Sequence, residues 1–139
     1  MKTKISTESA GLIEIKSEFI GLKKWDVGDN KYPANYNQHK VTVKRGKKWM
    51  TFDFWMSIAN PRISNGEDNI YALYCALQDA FYATDSFERF CLELGYDQDS
   101  RRAEKVYKAC EKALTKVERV FDGVDLADLI NELRETYNV

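Results

Sequence analysis

Hydrophobic and polar residues alternate along the first half of the chain and follow a helical period in the second half. The alternation occupies 12–25, 39–44 and 47–58, which predicts three half-buried β-strands. Residues 26–38 have the composition of a loop, and Gly46 suits a tight hairpin turn. Because the last strand carries aromatic residues on both faces, we expect it to be central or covered on both sides. The polar segment 1–9 is predicted to be frayed, and the first strand to bend near Gly21.

About four helices are predicted after the strands. Residues 70–83 are apolar nearly all round, which is typical of a central helix. A short helix follows, with Asp85 or Ser86 as its N-cap and Gly95 after its end. The next helix, capped by Asp99 or Ser100, has the most regular apolar face, made by Ala103, Val106, Tyr107, Cys110, Leu114, Val117 and Phe121. With a final helix over 125–137, the order of elements indicates one α+β domain over 1–139, a three-stranded antiparallel sheet with helices packed on it.

The charge balance separates the two halves of the chain. Residues 1–50 contain 11 basic and 5 acidic residues (11 − 5 = +6), residues 51–139 contain 10 and 17 (10 − 17 = −7), and the net charge is −1. The total charge therefore does not indicate nucleic-acid binding, although the first half has enough lysine for a basic patch. No apolar run reaches about eighteen residues, and the N-terminus has no uninterrupted apolar stretch. We expect neither a membrane span nor a signal peptide.

Metal, cofactor and catalytic chemistry find little support in the residue pattern. The widely spaced Cys75, Cys91 and Cys110 fit reduced thiols in a core, and one histidine, His39, does not supply a zinc site. None of the motifs G-x-S-x-G, H-E-x-x-H and the P-loop occurs in the sequence. We therefore expect a protein that is not an enzyme and that has no metal site and no cofactor.

The tip of the predicted hairpin is the first candidate interaction site. Its residues are basic and end in an aromatic one: Lys44, Arg45, Lys47, Lys48 and Trp49. Basic side chains beside an aromatic ring are suited to phosphate backbones and to stacking on bases. Lysines also protect an exposed hairpin from edge-to-edge pairing, and this interpretation is favoured because no nucleic-acid-binding motif accompanies them.

The long helix and the turn before it supply the other candidates. Cations line the helix face opposite the apolar one: Arg101, Lys105, Lys108, Lys112, Lys116 and Arg119. This stripe fits an acidic partner or a nucleic-acid backbone, but a solvated and salt-bridged face is the favoured explanation. The acidic residues Glu93, Asp97 and Asp99 resemble the start of a calcium loop without its glycine and bidentate glutamate. Helix capping is favoured for them, and an acidic contact patch is the alternative.

Two segments together resemble a known group of proteins. These are VTVKRGKKWMTFDFWMS at 41–57 and DSFERFCLELGYDQDSRRAEKVYKACEKALTKVERVF at 85–121. They are similar to small phage- and prophage-encoded proteins of unknown function that share a TFDFW-type strand and a GYDxDSRxAEKxYKA-type helix. The resemblance implies a small accessory protein in the cytoplasm of a bacterial host cell. Such proteins often act on host machinery, so inhibition of a defence nuclease (anti-CRISPR-like activity) is the role that the resemblance implies.

These observations lead to one functional hypothesis and two alternatives. We expect a non-enzymatic protein-binding module that inhibits a host defence complex, with a CRISPR effector as one such target. The predicted contact residues are Lys44, Arg45, Lys47, Lys48, Trp49, Glu93, Asp97, Asp99, Arg101, Lys105, Lys108 and Lys112. The first alternative is a nucleic-acid-binding accessory protein that uses the basic hairpin. The second is a structural protein that self-assembles through its long helix.

Overall fold

The order of elements along the chain follows the predicted change from strands to helices. The computed structural model describes residues 2–25, 34–56, 68–83 and 86–137. In these ranges the strands are β1 (Lys2–Thr7), β2 (Gly11–Trp25), β3 (Ala34–Arg45) and β4 (Lys48–Met56). The helices are α1 (Asn69–Ala83), α2 (Phe87–Leu94), α3 (Arg101–Val120) and α4 (Leu126–Tyr137). The α+β class, the antiparallel sheet and the helices that follow it are confirmed.

The sheet has four strands, so the prediction of three is wrong. The additional strand is β1, which pairs with β2 from Lys2↔Lys16 to Thr7↔Gly11, in the segment that the sequence predicts to be frayed. Its alternation was hard to recognise because Ile5 is the one apolar residue on its buried face. Thr7 takes the next inward position, and its hydroxyl donates to the Gly11 carbonyl at 2.9 Å.

Neighbouring strands in the sheet are neighbours in sequence, in the order β1-β2-β3-β4. The predicted bend in β2 is confirmed, because the register with β3 shifts between Phe19 and Gly21, and Gly21 has a φ of 134°. β3 begins at Ala34, five residues before the predicted strand start at His39. Its first residues have loop-like composition but continue the pairing with β2, as in Leu22↔Asn37. Tertiary pairing therefore overrides local propensity here.

The strand β4 lies at the edge of the sheet, so the prediction that it is central or covered on both sides is wrong. One of its faces is buried at Met50 and half-buried at Phe52. The other face is exposed at Trp49, Thr51 and Asp53. Helices cover one side of the sheet, and aromatic residues on both faces of β4 do not indicate burial of both.

The helix α1 is central, as its apolar composition predicts. It packs on the inner side of the sheet and on α3 and α4, and Ala72, Leu73, Ala76 and Leu77 are buried. The predicted apolar residues of α4, which are Leu126, Leu129, Ile130 and Leu133, close the core from the other side. None of the described helices is long and apolar enough to cross a membrane.

The long helix α3 contributes to two separate apolar clusters. Its second half, with Val117 and Val120, belongs to the main core under the sheet. Its first half packs on α2 in a smaller cluster around Phe90, Tyr96 and Ala103. The predicted caps are confirmed, because the Ser86 hydroxyl accepts from the Arg89 N–H and the Ser100 hydroxyl from the Ala103 N–H. Cys75, Cys91 and Cys110 lie on α1, α2 and α3 as reduced thiols, and Cys91 is buried.

Candidate interaction surface on the sheet

The side of the sheet that faces away from the helices is open to solvent. We call it the outer face, and its residues alternate with the buried ones on all four strands. Its exposed lysines are Lys2, Lys4, Lys16, Lys23, Lys40 and Lys44. Its acidic residues are Glu14, Glu18 and Asp53, so the described part of the face carries an excess of three positive charges (6 − 3).

Strand pairing places residues of the outer face in rows across the sheet. One row contains Lys4, Glu14, Lys44 and Trp49, because the register pairs each of these with the next. Lys2 reaches Glu14 from a diagonal position, with Nζ 3.8 Å from Oε2. Cross-strand neighbours of opposite charge stabilise the sheet only modestly at an exposed site. The lysines of the row therefore remain available to a partner.

Two large apolar side chains are exposed at the hairpin end of the outer face. Trp49 is 65% exposed and Leu12 is 64% exposed. The register places Lys44 beside Trp49 on β4 and beside Glu14 on β2, two residues from Leu12. Tryptophan is typical of the energetically important part of a protein interface, and the exposed leucine adds apolar area to the same end of the face. Leu12 is absent from the residues predicted from the sequence, since an isolated exposed leucine is common.

Arg45, predicted as a contact residue, faces the inside of the protein. The alternation of β3 places it on the same face as the buried Val41 and Val43. Its Nε donates to the Ala10 carbonyl at 2.8 Å, and its Nη1 donates to the carbonyls of Val120 at 3.3 Å and Asp122 at 3.0 Å. The last carbonyls of a helix lack intrahelical donors and carry partial negative charge. Arg45 thus fastens the end of α3 to the β1–β2 turn.

The remaining basic residues of the hairpin point in different directions. Lys47 is exposed in the two-residue turn that Gly46 begins with a φ of 61°. Lys48 lies 3.8 Å from the Asp122 carboxylate, which follows α3. Lys44 and Trp49 are on the outer face. The predicted cluster of five residues is therefore divided between a structural arginine, an ion pair and the outer face.

The predicted residues on the helices form a second, distant group. Arg101, Lys105, Lys108 and Lys112 are exposed along α3. Asp97 and Asp99 are exposed in the turn before it, and Glu93 lies in α2 with its side chain outside the described part. With 20 residues, α3 is about 30 Å long, and its other end meets the hairpin. The twelve predicted residues therefore do not make one continuous surface.

A groove lies beside the start of β4. It is lined by Lys48 from the strand, by Thr115, Glu118 and Arg119 from α3, and by residues 121–124 after the helix. Its volume is about 720 Å³. Arg119 is the last cation of the stripe on α3, so the groove is where this stripe comes nearest to the hairpin. Lys48 pairs with Asp122, and the wall from α3 carries both Glu118 and Arg119, so the charged side chains that line the groove balance.

The one histidine is fully buried under the sheet. His39 is 0% exposed, and its ring centroid lies 5.1 Å from that of Phe19. Burial lowers the pKa of His39 from its ordinary value of 6.5, although a hydrogen bond with the backbone of Asn37 acts in the opposite direction. Among the described residues, no group of three or more His, Cys, Asp and Glu side chains is placed to hold a metal ion.

Comparisons of the chain with protein-family models, with curated proteins and with solved structures find no match.

Proposed function

We propose that this chain is a non-enzymatic binding protein that docks on a partner protein through the outer face of its sheet. The exposure of Trp49 and Leu12 at one end of a lysine-rich face is the observation that supports this proposal. Large apolar side chains that are solvent-exposed in the free chain gain most from burial in an interface, at about 25 cal/mol per Å² of apolar surface. The lysines around them favour a partner with an acidic surface.

The proposed partner is a protein complex of a bacterial host, and the proposed effect is inhibition of a defence nuclease such as a CRISPR effector. This part of the proposal follows from the resemblance to small phage-encoded proteins. A nuclease has a basic groove for its nucleic acid, so the lysine-rich outer face fits an acidic surface elsewhere on the complex. Binding of this kind inhibits by blocking assembly or movement of the complex, without competing directly for the groove.

Capture of the tagged protein from lysates of infected bacteria, treated with nuclease, tests the proposal. We expect a host protein in stoichiometric amount, and we expect Trp49→Ala to remove it. Leu92→Ser is the matched control, because Leu92 is 74% exposed on α2, away from the sheet. Nuclease activity of the same host protein, purified without this chain and without added nuclease, should fall when the wild-type chain is added and should not change with Trp49→Ala. Equal capture by both variants contradicts docking through the outer face.

Nucleic-acid binding is the second candidate function, and the same combination of lysines and Trp49 favours it. An exposed tryptophan on a basic sheet face offers a stacking platform for single-stranded bases. Affinity for a single-stranded oligonucleotide would then fall steeply with salt, with a slope of about 0.7 per phosphate contact on logarithmic axes. Lys40→Glu with Lys44→Glu should flatten this slope, whereas Lys108→Glu with Lys112→Glu on α3 should leave it unchanged. A salt-independent affinity contradicts phosphate contacts.

Self-assembly through α3 receives less support. The apolar residues of this helix pack within the chain, on the main core and on the smaller cluster with α2. The face that remains exposed carries Arg101, Lys105, Lys108 and Lys112. Glu104, Glu111 and Glu118 are also exposed on α3, so the helix presents a mixed charged surface and not an apolar stripe to a second copy.

A further inference from the structure

We propose that the partner binds by adding an extended segment as a further strand along the edge of β4. The inference rests on the proposed function and specifies how the partner is held. Of the strands that the structure describes, only β3 pairs with β4. A strand at a sheet edge presents backbone N–H and C=O groups that an extended segment from another protein can pair with.

The hairpin geometry determines which backbone groups of β4 point away from β3. The turn between Arg45 and Lys48 contains two residues, so these flanking residues form a hydrogen-bonded pair. Pairs alternate along an antiparallel ladder, which makes Lys44↔Trp49, Thr42↔Thr51 and Lys40↔Asp53 non-hydrogen-bonded pairs. The contact of 2.8 Å between the Thr42 and Thr51 hydroxyls agrees with the closer side chains of such pairs. The N–H and C=O groups of Trp49, Thr51 and Asp53 therefore face the outside of the sheet.

The surroundings of this edge suit an added strand on both sides. On the outer side, the exposed side chains of Trp49, Thr51 and Asp53 flank the edge. On the inner side, the groove between Lys48 and Arg119 provides space for alternate side chains of the incoming segment. At the opposite edge of the sheet, β1 is six residues long and has no aromatic residue. The edge of β4 is therefore the one we assign to the partner.

The charges around the edge indicate the chemistry of the incoming segment. Lys44, Lys47 and Lys48 surround the start of β4, and Arg119 stands across the groove. The acidic residues nearby are Glu118 and Asp122 in the groove lining and Asp53 farther along the strand. Asp122 pairs with Lys48, and the basic residues around the edge exceed the acidic ones by one (4 − 3). An extended segment that alternates apolar and acidic residues matches this arrangement, with its apolar residues on Trp49. A second copy of this chain is disfavoured as the occupant, because it would bring the same lysines together.

A proline substitution at residue 51 tests the contribution of backbone pairing separately from that of side-chain contacts. Thr51→Pro removes an N–H that points away from β3, so the β3–β4 ladder keeps its hydrogen bonds. Thr51→Val is the matched control, since it removes the same hydroxyl but keeps the N–H. The probe is a soluble peptide of about eight residues that alternates valine and glutamate, and the control peptide alternates valine and lysine. Circular dichroism and thermal unfolding show whether each variant is folded.

We expect the wild-type chain and Thr51→Val to bind the glutamate peptide with similar affinity, and both to bind it more tightly than the lysine peptide. We expect Thr51→Pro to bind it at least about tenfold more weakly. Equal affinity of folded Thr51→Pro and Thr51→Val overturns strand addition, as does failure of the wild-type chain to distinguish the two peptides.

Amide hydrogen exchange of the wild-type chain gives a second measurement that does not depend on the proline variant. Binding of the glutamate peptide should slow exchange at the amides of Trp49, Thr51 and Asp53 and leave those that pair with β3 unchanged. Unchanged exchange at these three amides in a saturated sample overturns the inference. The proposed function fails separately, when Trp49→Ala and Leu92→Ser capture the same host protein equally well.

Discussion

The side-chain amide of Asn69 completes the β1-facing edge of β2, where its Oδ1 accepts a hydrogen bond from the Ser17 backbone N–H at 3.1 Å. Its Nδ2 donates to the Ile15 carbonyl at 3.3 Å and to the Thr3 hydroxyl at 3.0 Å. Pairing of β1 with β2 ends at Lys2↔Lys16, so the carboxamide continues the edge where β1 stops. Asn69 is 1% exposed, and it is the first residue of α1. One residue therefore fixes the central helix to two strands.

Replacement of Asn69 should destabilise the protein more than its small size suggests. We expect Asn69→Ala to lower the free energy of unfolding by about 2 kcal/mol or more, because buried polar groups on β2 lose their partner. Urea unfolding followed by circular dichroism measures this change. Asn131→Ala, at an exposed position of α4, should stay within about 0.5 kcal/mol of the wild type. Equal stability of the two variants contradicts the structural role of Asn69.

Arg45 should affect stability and not binding. We expect Arg45→Met to lower the free energy of unfolding by about 1–3 kcal/mol, since three backbone carbonyls lose a charged donor. Lys47→Met at the exposed turn removes the same charge and should change stability little. At a temperature where Arg45→Met is folded, it should capture the same partner as the wild type. Lost capture by a folded Arg45→Met chain would show that Arg45 contacts the partner.

The Glu132 carboxylate should stabilise the protein above mildly acidic pH. It accepts hydrogen bonds from the backbone N–H groups of Glu8 and Ser9, both at 2.8 Å, and from the Ser9 hydroxyl at 2.6 Å. Burial acts to raise the pKa of Glu132, but the hydrogen bonds outweigh it and hold the pKa below its ordinary value of 4.5. A lowered folded-state pKa gives stability that is present above pH 4.5 and is lost as pH falls through the folded-state value.

We therefore expect Glu132→Gln to be less stable than the wild type at neutral pH, and the difference to shrink below pH 4.5. Urea unfolding at a series of pH values measures this. Glu135→Gln, exposed on the same helix, is the control and should change stability little at neutral pH. A Glu132→Gln deficit that is constant down to the lowest pH contradicts the stabilising role of the ionised carboxylate.

His39 should make the protein less stable in weak acid. Its pKa is lowered by burial, so the unfolded chain binds a proton at a higher pH than the folded chain. Stability should fall as pH decreases below the ordinary value of 6.5, until the folded-state pKa is reached. We expect His39→Leu to remove this part of the pH dependence of the unfolding midpoint, as measured by thermal melting. Parallel curves for the two chains would show that His39 is not responsible.

The local signals in the sequence predicted the helices well. Ser86 and Ser100 cap their helices as expected, because capping depends on residues within one turn. The strand β1 was missed because a single apolar residue, Ile5, does not establish an alternating pattern. The edge position of β4 was also missed, since its neighbours are set by the order of pairing in the whole sheet.

The candidate surface was predicted only in part. Lys44 and Trp49 were identified and lie together on the outer face. The inward position of Arg45 was available from its spacing to Val41 and Val43, but a cluster of basic residues suggested a shared surface. Lys2 and Lys4 were missed together with β1. The sequence did not show that the charged residues of α3 lie away from the hairpin, because this depends on which end of α3 meets β4.

The arrangement of strands has a consequence for the folding of the chain. Each strand pairs with its neighbour in sequence, so the sheet is built from hairpins that close short loops. The hydrogen bonds of Glu132 to Ser9, by contrast, join residues 123 positions apart. Bringing the β1–β2 turn into contact with α4 therefore costs more conformational entropy than closing the hairpins does. We call this contact the closure of the turn on α4. We expect the hairpins to form early and this closure to follow, so the packing of α4 against the β1–β2 turn is a late step in the folding of the described residues.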